Sequence, residues 1–594
     1  MLNFASCSVD DIFMRRQSIR RELLATEGLQ DLRVAVLGES TTNEVVNLWE
    51  ILLLANGFKP VFYQSEYGRV YEEAVHDSKA LVDFKPELIY LHTSCWNVRN
   101  KPALNCNAAD FDSCVEAEIA RFREIWDSLK SNLNCQVIQN NFETPPYAIL
   151  GNLDAIACGG LSRFFMQLNI SLAQEVSLRP AVSLQDVHGI SAMLGMSRWF
   201  DWKRHFGYKL LLTPEANLEI ARSLTSIVRA MFGRSRKVLV LDLDDTLWGG
   251  VIGDDDVDKI QIGPETPMGE AYAAFQEYCL SLRNRGVLLA VCSKNTEEIA
   301  KMGFENPGSI LKLEHFSSFK ANWEAKHENI YAIAQELNLG VDSFVFVDDN
   351  PAERAIVEAM LPGVAVPDVG GDVTRFAEII EHGRYFEPFS FSTEDFQRTA
   401  FYAENSKRAQ AERKYADYGE YLDSLEMKAE IDCFKPMYLE RLAQLTNKTN
   451  QFNLTARRYT QAEVESISRN PGFIGLYGKL SDRFGDNGLI SVAIGRRDVD
   501  TLHIEAWLMS CRVLKREMEF AMCDALVERA RAIGVATIQG YYLPTQKNGI
   551  VADLYQTLGF QPCPPLPDLP PGATVWTLAL RGQGKRNHHI KVLE

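Results

Sequence analysis

Residues 237–256 read KVLVLDLDDTLWGGVIGDDD, an apolar run of the kind that forms a buried strand, ending on carboxylates. Asp242 and Asp244 flank a single leucine, and Thr246 follows two places on. A carboxylate at such a strand end can attack a phosphoryl group covalently, and a second one two residues later can carry a proton to the leaving group. Two acids this close repel each other and any phosphate, so the pattern calls for a divalent cation. Hard oxygen donors in a phosphate site point to Mg2+. Further along, Ser293 closes VLLAVCS, Lys326 stands at the helix start in NWEAKHENI, and Asp348 and Asp349 close SFVFVDDNP. The serine hydroxyl suits a phosphoryl oxygen, the lysine neutralises the phosphate, and the second acid pair completes the metal shell. The expected metal set is therefore Asp242, Asp244, Asp348 and Asp349, with Thr246, Ser293 and Lys326 on the phosphate.

These groups need a scaffold that brings strand ends together. Residues 233–385 alternate strand and helix, which predicts a doubly wound parallel sheet, and in such sheets ligands gather at the carboxyl ends of the strands. The gap from Thr246 to Ser293 holds only a loop and one helix, and the gap to Lys326 little more. No lid domain fits there, so the site is open to a large partner or to a metabolite presented on one. Residues 31–232 alternate in the same way, from LRVAVLGESTT through CQVIQNN, after a helical lead-in at 1–30. A charged, proline-poor stretch at 386–425 predicts a helical connector. Residues 426–594 mix helices with the strands GLISVAIGR, TLHIEAWLMS, ATIQGYY and TVWTLAL, interrupted by PCPPLPDLPPG. The fold class expected is α/β multidomain.

Bulk properties narrow the partners. The 594 residues are 46% hydrophobic, enough for three or four domains with their own cores. The net charge of -17 argues against a nucleic-acid surface, which needs a basic footprint. An acidic partner would need a local basic patch such as SCRVLKRE. Twelve cysteines without a CxxC pair read as reduced thiols rather than a zinc site or disulfide framework. No signal peptide and no membrane-spanning run is apparent, so a soluble cytoplasmic protein is expected.

The order DLDDT, CSKN, Lys326, VDDNP resembles the haloacid dehalogenase superfamily of phosphotransferases. That resemblance implies Asp242 as nucleophile, Asp244 as general acid/base, Ser293 and Lys326 as phosphate binders, and Asp348 with Asp349 as metal ligands. The wider signatures LDLDDTLWGGVIGDD, VDDNPAER, LTNKTNQFNLTARRY, DRFGDNGLISV, SCRVLKREME and YLPTQKNGIVADLYQTLGF resemble the FkbH-like family over nearly the whole chain. This implies an uncapped haloacid dehalogenase-like domain followed by an α+β domain of the GCN5-related acyltransferase type. It also implies an activity: loading the three-carbon acid of a bisphosphoglycerate-like metabolite onto an acyl carrier protein as a thioester, with release of phosphate.

Two thiols are candidates to hold the acyl group. Cys511 adjoins Arg512, Lys515 and Arg516, cations that favour a thiolate and suit a carrier's phosphopantetheine, and Cys292 adjoins Ser293. The run 512–517 has no glycine, whereas the pantetheine turn of the GCN5-related fold reads roughly arginine-x-x-glycine-x-glycine. Two other readings stay open: a small-molecule phosphatase recruited by its flanking domains, and a non-catalytic carrier-docking scaffold.

In the first domain VAVLGESTT, LQDVHGI and WFDWKRHFGYK resemble the SGNH hydrolases, with Ser40 after the first strand and two Asp/His pairs, Asp186/His188 and Asp201/His205. Glu39 replaces the usual aspartate and neither pair has the usual spacing, so a degenerate, non-catalytic domain is expected. Ser40, Thr41 and Thr42 equally suit a helix N-cap.

Overall fold

The computed structural model describes residues 7–593 apart from 134, 256, 258, 392–395, 397, 413, 546, 565, 567 and 568. The first six residues of the lead-in, and parts of the connector and of the proline-rich tail, thus lie outside the described residues. The chain forms two compact units, residues 1–229 and 230–594.

The first unit is built on β1 (Gln30–Gly38), β2 (Phe58–Gln64), β3 (Leu88–His92), β4 (Gln136–Asn140) and β5 (Val182–Gln185). They form a parallel sheet in the order β2-β1-β3-β4-β5. The residues of Val34–Leu37 and Leu88–Leu91 are fully buried, as expected of strands covered on both faces. The strand order reverses between β1 and β3, which puts the ligand crevice of this sheet beside Ser40 and the loop after His92.

The second unit contains two sheets. The first comprises β6 (Val238–Leu241), β7 (Leu288–Ser293), β8 (Phe316–Ala321) and β9 (Phe344–Val347), all parallel in the order β8-β7-β6-β9. One face packs Leu239, Leu241, Val291, Val345 and Val347 against Phe275, Cys279 and Leu282 of the helix Pro267–Asn284. The other packs Val238, Val240, Ala290, Phe344 and Phe346 against Ile330 and Ile333 of the helix Lys326–Glu336. β6 lies between β7 and β9, so the order reverses at β6 and the carboxyl end of β6 is the switch point. Among the described residues no lid domain interrupts this unit. Between β6 and β7 lie a loop, the short turn Ile252–Asp255 and the helix Pro267–Asn284. β8, FSSFKA, lacks the apolar run that marks its neighbours and is not apparent in the sequence.

The second sheet of this unit is mixed and eight-stranded. Its strands are β10 (Lys428–Cys433), β11 (Phe473–Asp482), β12 (Gly485–Asp498), β13 (Thr501–Met509), β14 (Thr537–Tyr542), β15 (Gln561–Cys563), β16 (Thr574–Ala579) and β17 (Lys591–Leu593), in the order β15-β16-β14-β13-β12-β11-β10-β17. β13 and β14 run parallel but pair only from Thr501 to His503. The helix Met518–Ala532, between them in sequence, buries Met518, Met522 and Leu526 in the core.

The helix Arg398–Glu412 falls in the stretch expected to be a connector, and it does more than connect. Tyr402 is buried in the core beneath β6–β9, while Arg408 reaches Asp482 of the mixed sheet. Of the described residues, no helix is long and apolar enough to cross a membrane.

Candidate functional site

The β6 carboxyl end carries Asp242, which is buried. Its Oδ2 accepts from Lys326 Nζ at 2.7 Å, and Lys326 Nζ also lies 2.6 Å from Asp348 Oδ2. Lys326 opens its helix and Asp348 follows β9 directly, so three elements deliver one cation between two carboxylates. Asp349 joins them: Asp242, Asp348 and Asp349 can each bring one carboxylate oxygen within 4.8 Å of the others. Ser293, at the end of β7, is buried beside them in the adjacent strand.

Burial opposes charge on Lys326, but Asp242 and Asp348 outweigh it and push its pKa up. Burial, then the nearby Asp242, pushes Asp348 up to about 6. The same two causes raise Asp349. Asp242 Oδ1 is buried with no hydrogen-bond partner. A buried carboxylate oxygen left without a partner is costly, and here it stands among hard oxygen donors that repel one another. The residues present therefore fit Mg2+, held by Asp242, Asp348 and Asp349. Because Asp348 keeps its proton up to about pH 6 and a metal must displace that proton, Mg2+ affinity should rise with pH to about 6 and level off above it. Titration calorimetry should find binding about tenfold weaker at pH 5 than at pH 7; equal affinities would place the metal elsewhere.

Asp244 was also expected in the metal set; its carboxylate is not one of the three clustered acids. Its carboxylate accepts from Trp248 Nε1 at 2.9 Å, from the Ile252 backbone N–H at 3.1 Å and from Asn295 Nδ2 at 2.8 Å. Those donors take up both of its oxygens. Burial raises its pKa against the pull of Trp248, Ile252 and Asn295, which suits a proton carrier. Thr246, expected on the phosphate, accepts from the Asp349 backbone N–H at 3.2 Å and reaches Asp349 Oδ1 at 3.4 Å, so it orients that acid.

Three residues of this site lie inside the motifs but have no role in the sequence reading. Asn295 links Asp244 to Ser293, whose hydroxyl it approaches at 3.5 Å. Trp248 is fully buried, and a Cβ on Gly303 would come within 2.6 Å of its ring, so a glycine there leaves room for the indole. Arg354 donates to the backbone carbonyls of Asp348 and Asp349 and pairs with Asp368, fixing the loop after β9. The signal for Asn295 is its place two residues beyond Ser293 in the same strand-end loop.

The two candidate thiols are not at this site in usable form. Cys292 is fully buried in the core beneath the helix Lys326–Glu336, its thiol 3.5 Å from the Lys326 carbonyl, and burial pushes its pKa up strongly. Cys511 packs, half-buried, against that same core, beside Tyr402 and Lys237. Lys237 immediately precedes β6, so Cys511 lies at the amino edge of the sheet, opposite the aspartates.

The basic residues beside Cys511 are also largely committed. Arg516 pairs with Asp482 at 3.0 Å and donates to Asn405. Burial, then Arg408, pushes its guanidinium down to about 10. Arg512 stacks 4.5 Å over Phe401 and donates to Ser510. Lys515 alone of the three is exposed. The glycine-free turn adopts glycine-like backbone all the same, with φ of 65° at Lys515 and 58° at Glu517.

In the first unit Ser40 is buried at the end of β1. Neither Asp/His pair is joined through side chains. Asp186 accepts from the Gly189 backbone N–H and from Asn141, while His188 is exposed. Asp201 caps its own helix by accepting from Arg204 N–H, and His205 Nδ1 is buried without a partner. Glu39 is taken up by Arg121, 2.5 Å away.

No family model matches the sequence, and a search of curated proteins returns no match. Among solved structures, the ribosomal-protein-S18-alanine N-acetyltransferase of Escherichia coli is 15% identical, covering 27% of this chain and 99% of its own, with a TM-score of 0.20. The GNAT domain of S. lividans PAT is 15% identical, covering 25% of this chain and 90% of its own, at 0.21. Scores this low assign neither a fold nor an activity. A different neighbour matches far more of the molecule: the N-terminal part of the protein BF1531 from Bacteroides fragilis, which contains a phosphatase domain and was solved with Mg. It is 30% identical, covers 63% of this chain and 99% of its own, and has a TM-score of 0.59. On that identity and coverage the chain belongs to the family of this Bacteroides fragilis phosphatase-domain protein.

Proposed function

We propose that the protein is a Mg2+-dependent enzyme of the haloacid dehalogenase type, in the FkbH-like family. It removes phosphate from a bisphosphoglycerate-like three-carbon acid and passes the glyceryl group to the thiol of an acyl carrier protein. The observation that carries the phosphate half is the pair of strand-end acids. Asp242 has one oxygen on Lys326 and one without a partner, and Asp244 is held by three donors. In this reading Asp242 attacks phosphorus while the bond from phosphorus to the sugar-acid oxygen breaks. Asp244 gives its proton to that oxygen and then takes one from the water that releases phosphate. Lys326 and Ser293 hold the phosphoryl oxygens, and bound Mg2+ would neutralise charge as it builds on them.

The acyl half needs no enzyme thiol. The carrier's thiolate attacks the carbonyl carbon of the acyl phosphate; a C–S bond forms, the C–O bond to phosphate breaks, and phosphate leaves with the electron pair. The burial of Cys292 and the remote place of Cys511 favour this direct route over an enzyme-bound thioester. The mixed-sheet domain is read as GCN5-related and the first domain as SGNH-like and non-catalytic, both serving the carrier in a soluble cytoplasmic enzyme. The strand order β2-β1-β3-β4-β5 and the unjoined Asp/His pairs support the latter reading. A plain small-molecule phosphatase is the second reading, favoured by the commitment of Arg512 and Arg516 to internal contacts.

Incubation with Mg2+, bisphosphoglycerate and a phosphopantetheine-loaded carrier, followed by mass spectrometry of both proteins, separates these. A glyceryl adduct on the carrier is expected, and it should survive both Cys511→Ala and Cys292→Ala. Phosphate release without an adduct would leave the phosphatase, and the absence of both would leave a docking scaffold.

A further inference from the structure

At the amino edge of the β6–β9 sheet lies a cavity of about 80 Å3. Five cations line it, Arg236, Lys237, Arg285, Arg398 and Lys448, against one carboxylate, Glu387. In a chain of net charge -17 such a concentration of positive charge is local and specific. Three buried polar atoms of the lining have no hydrogen-bond partner: Arg236 Nε, Arg285 Nε and Ser390 Oγ. Arg236 is not loose. Its Nη1 donates to the carbonyls of Asp342 and Gly363, so the guanidinium is fixed with its Nε unused. Buried polar groups nearly always find partners, and several gathered in one cationic cavity call for an anion. Two or three waters, at about 30 Å3 each, would fill the space but bring no negative charge.

We infer that this cavity binds an oxyanion of the phosphate class, at a site separate from the one at Asp242. Lys237 and Asp242 are five positions apart on one extended strand, roughly 16 Å at about 3.3 Å per residue. Two phosphates of a single three-carbon acid do not span that distance, so the ligand here is a second molecule. The lining comes from both halves of the unit. Lys237 precedes β6, Arg285 sits in the turn before β7, and Arg398 opens the arm helix and donates to the Gly286 carbonyl at 3.3 Å. Lys448 closes the helix Leu439–Lys448 beside the mixed sheet. One bound anion therefore ties the arm and the C-terminal domain to the phosphatase-like sheet. Burial pushes the Lys237 pKa down although Cys511 and Asp342 pull it up, and an anion beside it would oppose that fall.

The test is calorimetric titration of the full chain in EDTA with inorganic phosphate, glycerol 3-phosphate or sodium chloride at matched ionic strength. Wild type and Arg285→Gln are compared, with Ser390→Ala as the milder variant should Arg285→Gln not fold. Phosphate should bind the wild type and raise its thermal midpoint, and each variant should lose one phosphate per chain or bind it at least about tenfold more weakly. The Mg2+-dependent phosphate release of the variants should match wild type. Binding of inorganic phosphate alone would identify a free ion. Equal or tighter binding of glycerol 3-phosphate would identify the phosphate of a larger molecule. The inference fails if folded variants titrate like wild type, or if chloride reproduces the stabilisation.

Discussion

Asp242→Asn is expected to lower phosphate release by on the order of 10^4-fold or more, because an amide cannot form the aspartyl phosphate through which the reaction divides. The fold should not suffer. Asparagine keeps the shape and an acceptor oxygen for Lys326, which remains paired with Asp348 2.6 Å away. Removing one of three crowded negative charges also relieves the repulsion that raises Asp348 and Asp349. In EDTA the variant should therefore unfold at the same temperature as wild type or higher, while its stabilisation by Mg2+ shrinks. Phosphate release and thermal unfolding with and without Mg2+ check both halves. Activity above about one per cent of wild type would put the nucleophile elsewhere.

Asp482→Ala is expected to cost about 3–5 kcal/mol of stability, the usual penalty for removing one member of a buried charged network. The Asp482 side chain is fully buried and accepts from Arg408 Nε at 2.9 Å and Nη2 at 2.8 Å, from Arg516 Nη1 at 3.0 Å, and from the backbone N–H groups of Phe484 and Gly485. Its loss leaves the buried Arg516 guanidinium without its counter-charge, Arg408 with Glu404 at 3.3 Å in its place, and a turn without its acceptor. That is a large share of the roughly 5–15 kcal/mol that holds a typical domain together. Urea unfolding followed by circular dichroism measures it. A cost below about 1 kcal/mol would mean that water takes over the two arginines and that Arg516 is free for other ligands.

Sequence alone places the strand-end acids, Lys326 at a helix start and the two doubly wound patterns, because each depends on neighbours a few residues away. An apolar run stopping on a carboxylate marks a strand's carboxyl end wherever the strand later pairs, so Asp242, Ser293 and Asp348 are legible before any pairing is known. β8 is not legible, since its burial comes from β7 and not from its own composition.

The direction each side chain faces is set by distant partners, and only the tertiary structure decides it. One oxygen of Asp244 is claimed by Asn295, 51 residues away. Thr246 serves Asp349 across 103 residues. Arg516 sits in a basic run that reads as a dock, yet a buried Asp482 34 residues earlier claims it, since a buried carboxylate must be paired to remain charged. Cys292 adjoins Ser293, but successive strand residues face opposite sides of the sheet, so one reaches the site while the other is sealed in the core.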